Sequence, residues 1–376
     1  MGKESMNKPV ILKAGSFSEV DLNNLKNSVN IFKTVDIYES QLKEIYRTQQ
    51  PGDSSDSVGF EKFRGEHAGG DLAGNWIYFP WSGVLLHTVG SEELFQLRTN
   101  RNQLLVTQEE QEKLRKAVVG ITGMSVGAGM AIALAHSGVS DTIKISDYDE
   151  LDTSNLNRLR ESLSSVGQPK ATVAAEHIYD INPFADVQVF DKGVHNDNID
   201  KFFDEPALDV IIDEIDDFRM KVRLRAEAKK RHIPVLMFSS LGDNILIDVE
   251  RFDTEPELEI FHGVLGALPD EIANNQSITA EDEKRYAVLL VGQEFVPTRA
   301  LATLKEMGKT LVGRPQLYST IAVDSGLATY LVRKIILGEK LTSGRYFVKF
   351  AELFNLPSTD LARGPEREQV LKALFG

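Results

Sequence analysis

Asp147, Asp149, Asn155, Arg158 and Lys170 fall within two neighbouring runs, Ser146-Asp-Tyr-Asp-Glu-Leu-Asp-Thr-Ser-Asn-Leu-Asn-Arg158 and Val166-Gly-Gln-Pro-Lys170. Acids followed by cations just after a glycine-rich turn suit a nucleotide triphosphate. A dinucleotide-binding redox domain needs one acid at the end of its second strand, to hold a ribose, and no cations further on. Arg158 and Lys170 therefore imply a ligand more negative than a pyrophosphate diester, most simply ATP.

The turn itself is Gly123-Met-Ser125-Val-Gly127-Ala-Gly129. Glycines between a strand and a helix let backbone N–H groups approach phosphate where the helix dipole favours negative charge. They also let strand and helix pack closely, and the pattern alone does not separate the two roles. Asp147 or Asp149 can accept from ribose hydroxyls or stand as solvated loop acids. Arg158 and Lys170, brought back to the turn, can neutralise phosphate oxygens and the charge developing at phosphorus. Further on, Ile212-Asp-Glu-Ile-Asp216-Asp217 ends another strand. Carboxylates there suit magnesium, and either Asp216 or Asp217 also suits the N-cap of the helix that follows.

The elements that must position these residues alternate from Lys116 onward. Apolar strands are expected at 117–122, 142–146, 187–190, 208–212 and 234–238, with helices at 127–137, 171–179 and 220–231. Near-continuous apolar strands between helices predict an α/β fold with a doubly wound, mostly parallel Rossmann-like sheet, whose ligands sit at the strands' carboxyl ends. Residues 245–252 alternate like an antiparallel extension. Residues 254–312 read as irregular to helical, 317–337 as a long apolar helix interrupted by Asp324, and 345–350 as a late strand. Before the core lies an added N-terminal α+β segment: helical spacing at 20–27, 38–47, 91–101 and 109–116, a loop at 51–57, and a short strand broken by proline in Trp76–Trp81. The expected division is 1–94, 95–252 and 253–376.

The 376 residues are 42% hydrophobic, enough for one large domain or two ordinary ones. A net charge of -14 argues against a dedicated nucleic-acid binder, though not against a local basic patch. No membrane span and no signal peptide are read, so cytoplasm is the expected location. The chain has no cysteine, which removes disulfides, Cys-x-x-Cys zinc sites and any thiol nucleophile; no zinc is expected. The seven histidines show no metal spacing, and His262 is read as structural.

Taken together, the motifs resemble the ThiF/MoeB family of adenylating enzymes, bacterial relatives of ubiquitin-activating enzymes. Asp147-Tyr-Asp149, Ser154-Asn-Leu-Asn-Arg158, Val166-Gly-Gln-Pro-Lys170 and Asp209-Val-Ile-Ile-Asp-Glu-Ile-Asp216 carry the resemblance, over about residues 95–250. It implies that Asp147 holds the ribose, that Asn155, Arg158 and Lys170 contact phosphates, and that Asp216 binds magnesium near the α-phosphate. Arg101 resembles the arginine such enzymes lend to their dimer partner's ATP, which implies a homodimer. The implied reaction is attack by a carboxylate on the α-phosphorus of ATP. Three features depart from the family: a glycine loop one residue short, Asp217 where asparagine is usual, and the missing cysteines. A thioester or acyl-disulfide step cannot occur on these residues. Two other readings stand beside adenylation: a nucleotide-binding pseudoenzyme or adaptor, and a nicotinamide-dependent oxidoreductase, which Arg158 and Lys170 count against. The carboxylate substrate, a peptide, small protein or RNA-linked group, is not named by the sequence.

Overall fold

A computed structural model describes residues 8–53, 58–273, 278–357 and 363–375. Two sheets organise it. Val10–Leu12 (β1), Lys33–Asp36 (β2), Asn75–Phe79 (β3) and Val84–Thr88 (β4) form the first, in the order β1-β3-β4-β2. The short strand expected in Trp76–Trp81 is β3, and it stops before Pro80. β3 ends at Phe79, and the chain turns through Pro80 to return as β4, pairing Phe79 with Val84. Part of the loop expected at 51–57 lies outside the described residues.

The second sheet holds Val118–Thr122 (β5), Thr142–Ser146 (β6), Asp186–Phe190 (β7), Val210–Asp213 (β8), Val235–Leu241 (β9), Asn244–Glu250 (β10) and Gly344–Lys349 (β11). Its order is β11-β10-β9-β8-β5-β6-β7. β5 to β9 run parallel, and β10 and β11 pair antiparallel at one edge. The architecture is the expected one, with boundaries that shift by a few residues. β8 and β6 flank β5, so the chain leaves the sheet's centre in both directions from this strand. Ligands of open α/β sheets bind where strand order reverses in this way, at the carboxyl ends. Gly123, Asp147 and Glu214 each follow directly on the carboxyl end of one of those three strands.

The core lies between this sheet and its helices. Val119, Ile121, Ile143, Ile145, Val210 and Ile212 are fully buried on β5, β6 and β8. They pack with Met130, Ala131 and Leu134 of the helix Gly127–His136 and with Ala328 and Val332 of the helix Tyr318–Ile336. Burying both faces of a parallel sheet is what its apolar strands require. The turn between β3 and β4 meets the helix Lys170–Ile181 at Trp81, whose ring stacks on Tyr179 at 6.1 Å and whose Nε1 donates to Asp180 Oδ1 at 3.1 Å. Among the described residues, no helix is long and apolar enough to cross a membrane.

Candidate functional site

The glycine turn is fixed by close approach. Gly123 has φ 87°, its N–H donates to Ser146 O at 2.7 Å, and an added Cβ would meet Glu214 O at 2.5 Å. Backbone this tight between the ends of β5 and β8 requires glycine. The helix Gly127–His136 begins directly after it. Its N-cap, Val126, gives no side-chain cap; Gly127 N–H donates to Gly123 O at 3.1 Å and Gly129 N–H to Val126 O at 3.2 Å, and the positive end of the dipole faces the turn.

Asp147 supports the same turn from β6: its Oδ2 accepts from Met124 N at 2.6 Å and its Oδ1 from Asp149 N at 2.8 Å. Burial pushes this carboxyl above its ordinary range, with the two backbone N–H groups opposing. Arg158 reaches back to the glycine turn, its Nε and Nη2 lying 3.3 and 3.2 Å from Ser125 Oγ. Burial holds this guanidinium below its ordinary range; Asp216 pulls it up and Arg314 pushes it down. Lys170 starts its helix and is buried, with Nζ 2.7 Å from Asp149 Oδ2. Asn155 is turned to its own backbone, its Oδ1 accepting from Asp152 N at 3.0 Å and closing the turn Thr153–Asn157.

Asp216 and Asp217 separate the two roles that the sequence left open for them. Asp217 is the N-cap of Phe218–Lys230, accepting from Met220 N at 2.9 Å. Asp216 remains 93% exposed at the mouth, 3.6 Å from Arg314 Nη2. A cleft of about 110 Å³ joins Gly123, Ser125, Asp147, Asp149 and Asp216, with Tyr148, Gly193, Val194 and Glu214 completing the wall. A larger cavity, about 490 Å³, lies between β1 and the segment 183–185, and none of the motif residues lines it.

Beneath the cleft, charge is buried and paired. Asp213 Oδ2 lies 2.5 Å from Arg225 Nη1 and 3.1 Å from Lys221 Nζ, and Arg225 Nε lies 2.6 Å from Glu250 Oε2. Burial pushes Asp213 up, but the Lys221 and Arg225 charges outweigh it and hold it below the ordinary carboxylate range. Glu214 accepts from Phe238 N at 2.8 Å, and burial raises it well above that range. This network clamps the β8 end that presents Asp216.

Three site features went unread in the sequence. Tyr148 is 73% exposed at the mouth, Glu214 sits inside the motif run without an assigned role, and Arg314 arrives from a distant loop. Glu214 was legible by position alone, as the acid that follows Asp213 at the end of β8. Arg101 is not brought to this cleft. It lies exposed in the turn Asn100–Asn102, where Asn102 Nδ2 donates to Gln111 Oε1 at 2.9 Å. Arg98, unassigned from pattern, donates to Ala135 O at the end of the glycine-turn helix. His262 pairs with Asp248 Oδ1 at 2.9 Å, a structural role.

With this geometry in hand, comparison with known proteins places the chain. The ThiF family model matches residues 99–363. The chain is 36% identical over 274 residues to the uncharacterized protein MT1398 of Mycobacterium tuberculosis (strain CDC 1551 / Oshkosh), covering 73% of this chain and 37% of that one. It is 38% identical over 155 residues to the tRNA threonylcarbamoyladenosine dehydratase of Bacillus subtilis (strain 168), covering 41% of this chain and 59% of that one. A probable molybdopterin-synthase adenylyltransferase of Porphyra purpurea is 29% identical over 193 residues, 46% of this chain and 49% of that one. Each of these relatives is thus spanned over less than two thirds of its length. Among solved structures, E. coli tRNA N6-threonylcarbamoyladenosine dehydratase, TcdA, overlays with a TM-score of 0.47 at 20% identity, covering 66% of this chain and 98% of that one. The chain belongs to the ThiF family.

Proposed function

We propose that this chain is an ATP-dependent adenylyltransferase acting on a carboxylate carried by a peptide, a small protein or an RNA-linked group. A carboxylate oxygen attacks the α-phosphorus, the new P–O bond forming as the bond to pyrophosphate breaks, and an acyl-adenylate results. The observation that carries this reading is Arg158 folded onto Ser125, which puts a fixed cation at the uncapped start of the glycine-turn helix. Phosphate oxygens bound there meet N–H groups, a helix dipole and a guanidinium without further rearrangement, which is how charge developing at phosphorus is stabilised.

Asp147 and Asp149 give the ribose its acceptors, and the exposed ring of Tyr148 beside Val194 offers an apolar surface to the base. Lys170, buried and paired with Asp149, adds a second cation behind that carboxylate. Magnesium fits Asp216: it binds through one or two carboxylates plus phosphates and keeps several waters, and this carboxylate is open while Asp217 is spent on a helix cap. Without cysteine, the acyl group passes from the adenylate to a nucleophile of the substrate or of a partner. The same absence motivates the second reading, a nucleotide-binding adaptor.

Pyrophosphate exchange into ATP, measured across a panel of carboxylates, tests the proposal. Exchange by the wild type that falls by roughly 100-fold or more in Asp216→Ala is expected, the scale of losing one group that stabilises transition-state charge. ATP binding with no exchange on any carboxylate supports the adaptor instead.

A further inference from the structure

The loop entering the helix Tyr318–Ile336 brings a third cation to the cleft. Asn157, next to Arg158, donates Nδ2 to Gln316 O at 2.9 Å, and Thr320 Oγ1 donates to Gly242 O at 2.9 Å. Gln316 is buried between these anchors, so backbone contacts hold the loop at the mouth while the Arg314 side chain stays 41% exposed. Its ion pair with Asp216, at 3.6 Å, is the one Arg314 makes among the described residues. Arg158 stands near enough to feel both the Asp216 and the Arg314 charges. Arg314 thus pairs with Asp216, while Arg158 is held on Ser125 within electrostatic reach of both.

Asp216 is also the carboxylate assigned to magnesium, so when it serves the metal Arg314 loses the ion pair that holds it. An exposed pair at this distance is weakly bound in water, so Arg314 is easily released. Two neighbouring guanidiniums, each a planar fork of donors, match two linked phosphoryl groups better than one carboxylate. We propose that Arg314 grips the pyrophosphate end of ATP, and that Asp216 parks it in the empty protein and releases it on turning to the metal. This rests on reading the cleft as a nucleotide site.

Titration calorimetry with Mg-ATP, magnesium pyrophosphate and AMP tests it on the full chain. Arg314→Ala is expected to weaken ATP and pyrophosphate about tenfold or more, the worth of a hydrogen bond to a charged group, and to leave AMP within about twofold. Arg314→Lys should recover part of the loss, keeping the charge without the fork. In Asp216→Asn the parking contact is gone, so metal-free pyrophosphate should bind more tightly than to the wild type. Melting of each variant within a few degrees of wild type confirms folding; if Arg314→Ala melts early, Arg314→Gln replaces it. Equal losses for ATP and AMP, or no loss in either, overturn the role of Arg314 and leave the nucleotide site standing. A wild type that binds none of the three probes overturns both.

Discussion

Asp324 shows how a single buried carboxyl sets a pH dependence. It is fully buried within an apolar helix, with Oδ2 accepting from Ser240 Oγ at 2.7 Å and Oδ1 unpaired among the described residues. Burial pushes it up to about 7, Ser240 opposing. The folded protein therefore keeps a proton, between about pH 4 and 7, that the unfolded chain has released. Stability from this group is present at the low end of that window and is lost as pH rises through it. Asp324→Asn preserves the shape without the charge. Relative to wild type it should gain on the order of 2–4 kcal/mol at pH 8 and little at pH 4.5. Thermal melts across that range check this; a difference that does not vary with pH would falsify it.

At the scale of elements, two glycines with nearly the same dihedral separate backbone strain from packing. Gly123 and Gly167 have φ 87° and 86°, but only the first would bring a Cβ against backbone, at 2.5 Å from Glu214 O. Gly167→Ala should cost about 1–2 kcal/mol, the left-handed penalty alone. Gly123→Ala should cost roughly 1–3 kcal/mol more, the scale of overpacking, and should also weaken ATP. Denaturant midpoints of the two variants decide it, and equal losses would show that the turn is not held by β8. The same region shows what a sequence makes legible. β5, β6 and β8 could be read because a strand buried on both faces must be apolar, and their ends carried the motif residues. β1, β2 and β4, of three, four and five residues, were not read as strands in the sequence. Lys144 illustrates the other gap. It interrupts β6 in sequence, yet its Nζ donates to Phe202 O at 2.7 Å and Pro206 O at 2.6 Å, carbonyls placed by a distant segment. Arg314 was invisible for the same reason: only the folded chain brings it to Asp216.

For the whole molecule, the decisive matter is whose cleft Arg101 serves. Its turn is anchored to the far end of the glycine-turn helix: Asn102 Nδ2 reaches Ser137 O at 3.4 Å, and Arg98 donates to Ala135 O. The cleft lies at the other end of that helix, whose ten residues span roughly 15 Å. An extended arginine side chain does not cover that length, so service to its own cleft would require the turn to leave its anchors. Leu104 and Leu105, just beyond, are 98% and 85% exposed, apolar side chains suited to a contact with a second subunit. We propose that the chain pairs as a two-fold dimer in which each Arg101 completes the other chain's site. Arg101→Ala and Asp216→Ala proteins should each be inactive alone. Coexpressed, they form mixed dimers in which one cleft has both groups, and random pairing should restore about a quarter of the wild-type sites. Exchange activity near that level, with a dimeric mass in solution, is the expected result. A dimer that exchanges as wild type but shows no rescue in the mixture would place Arg101 outside the chemistry.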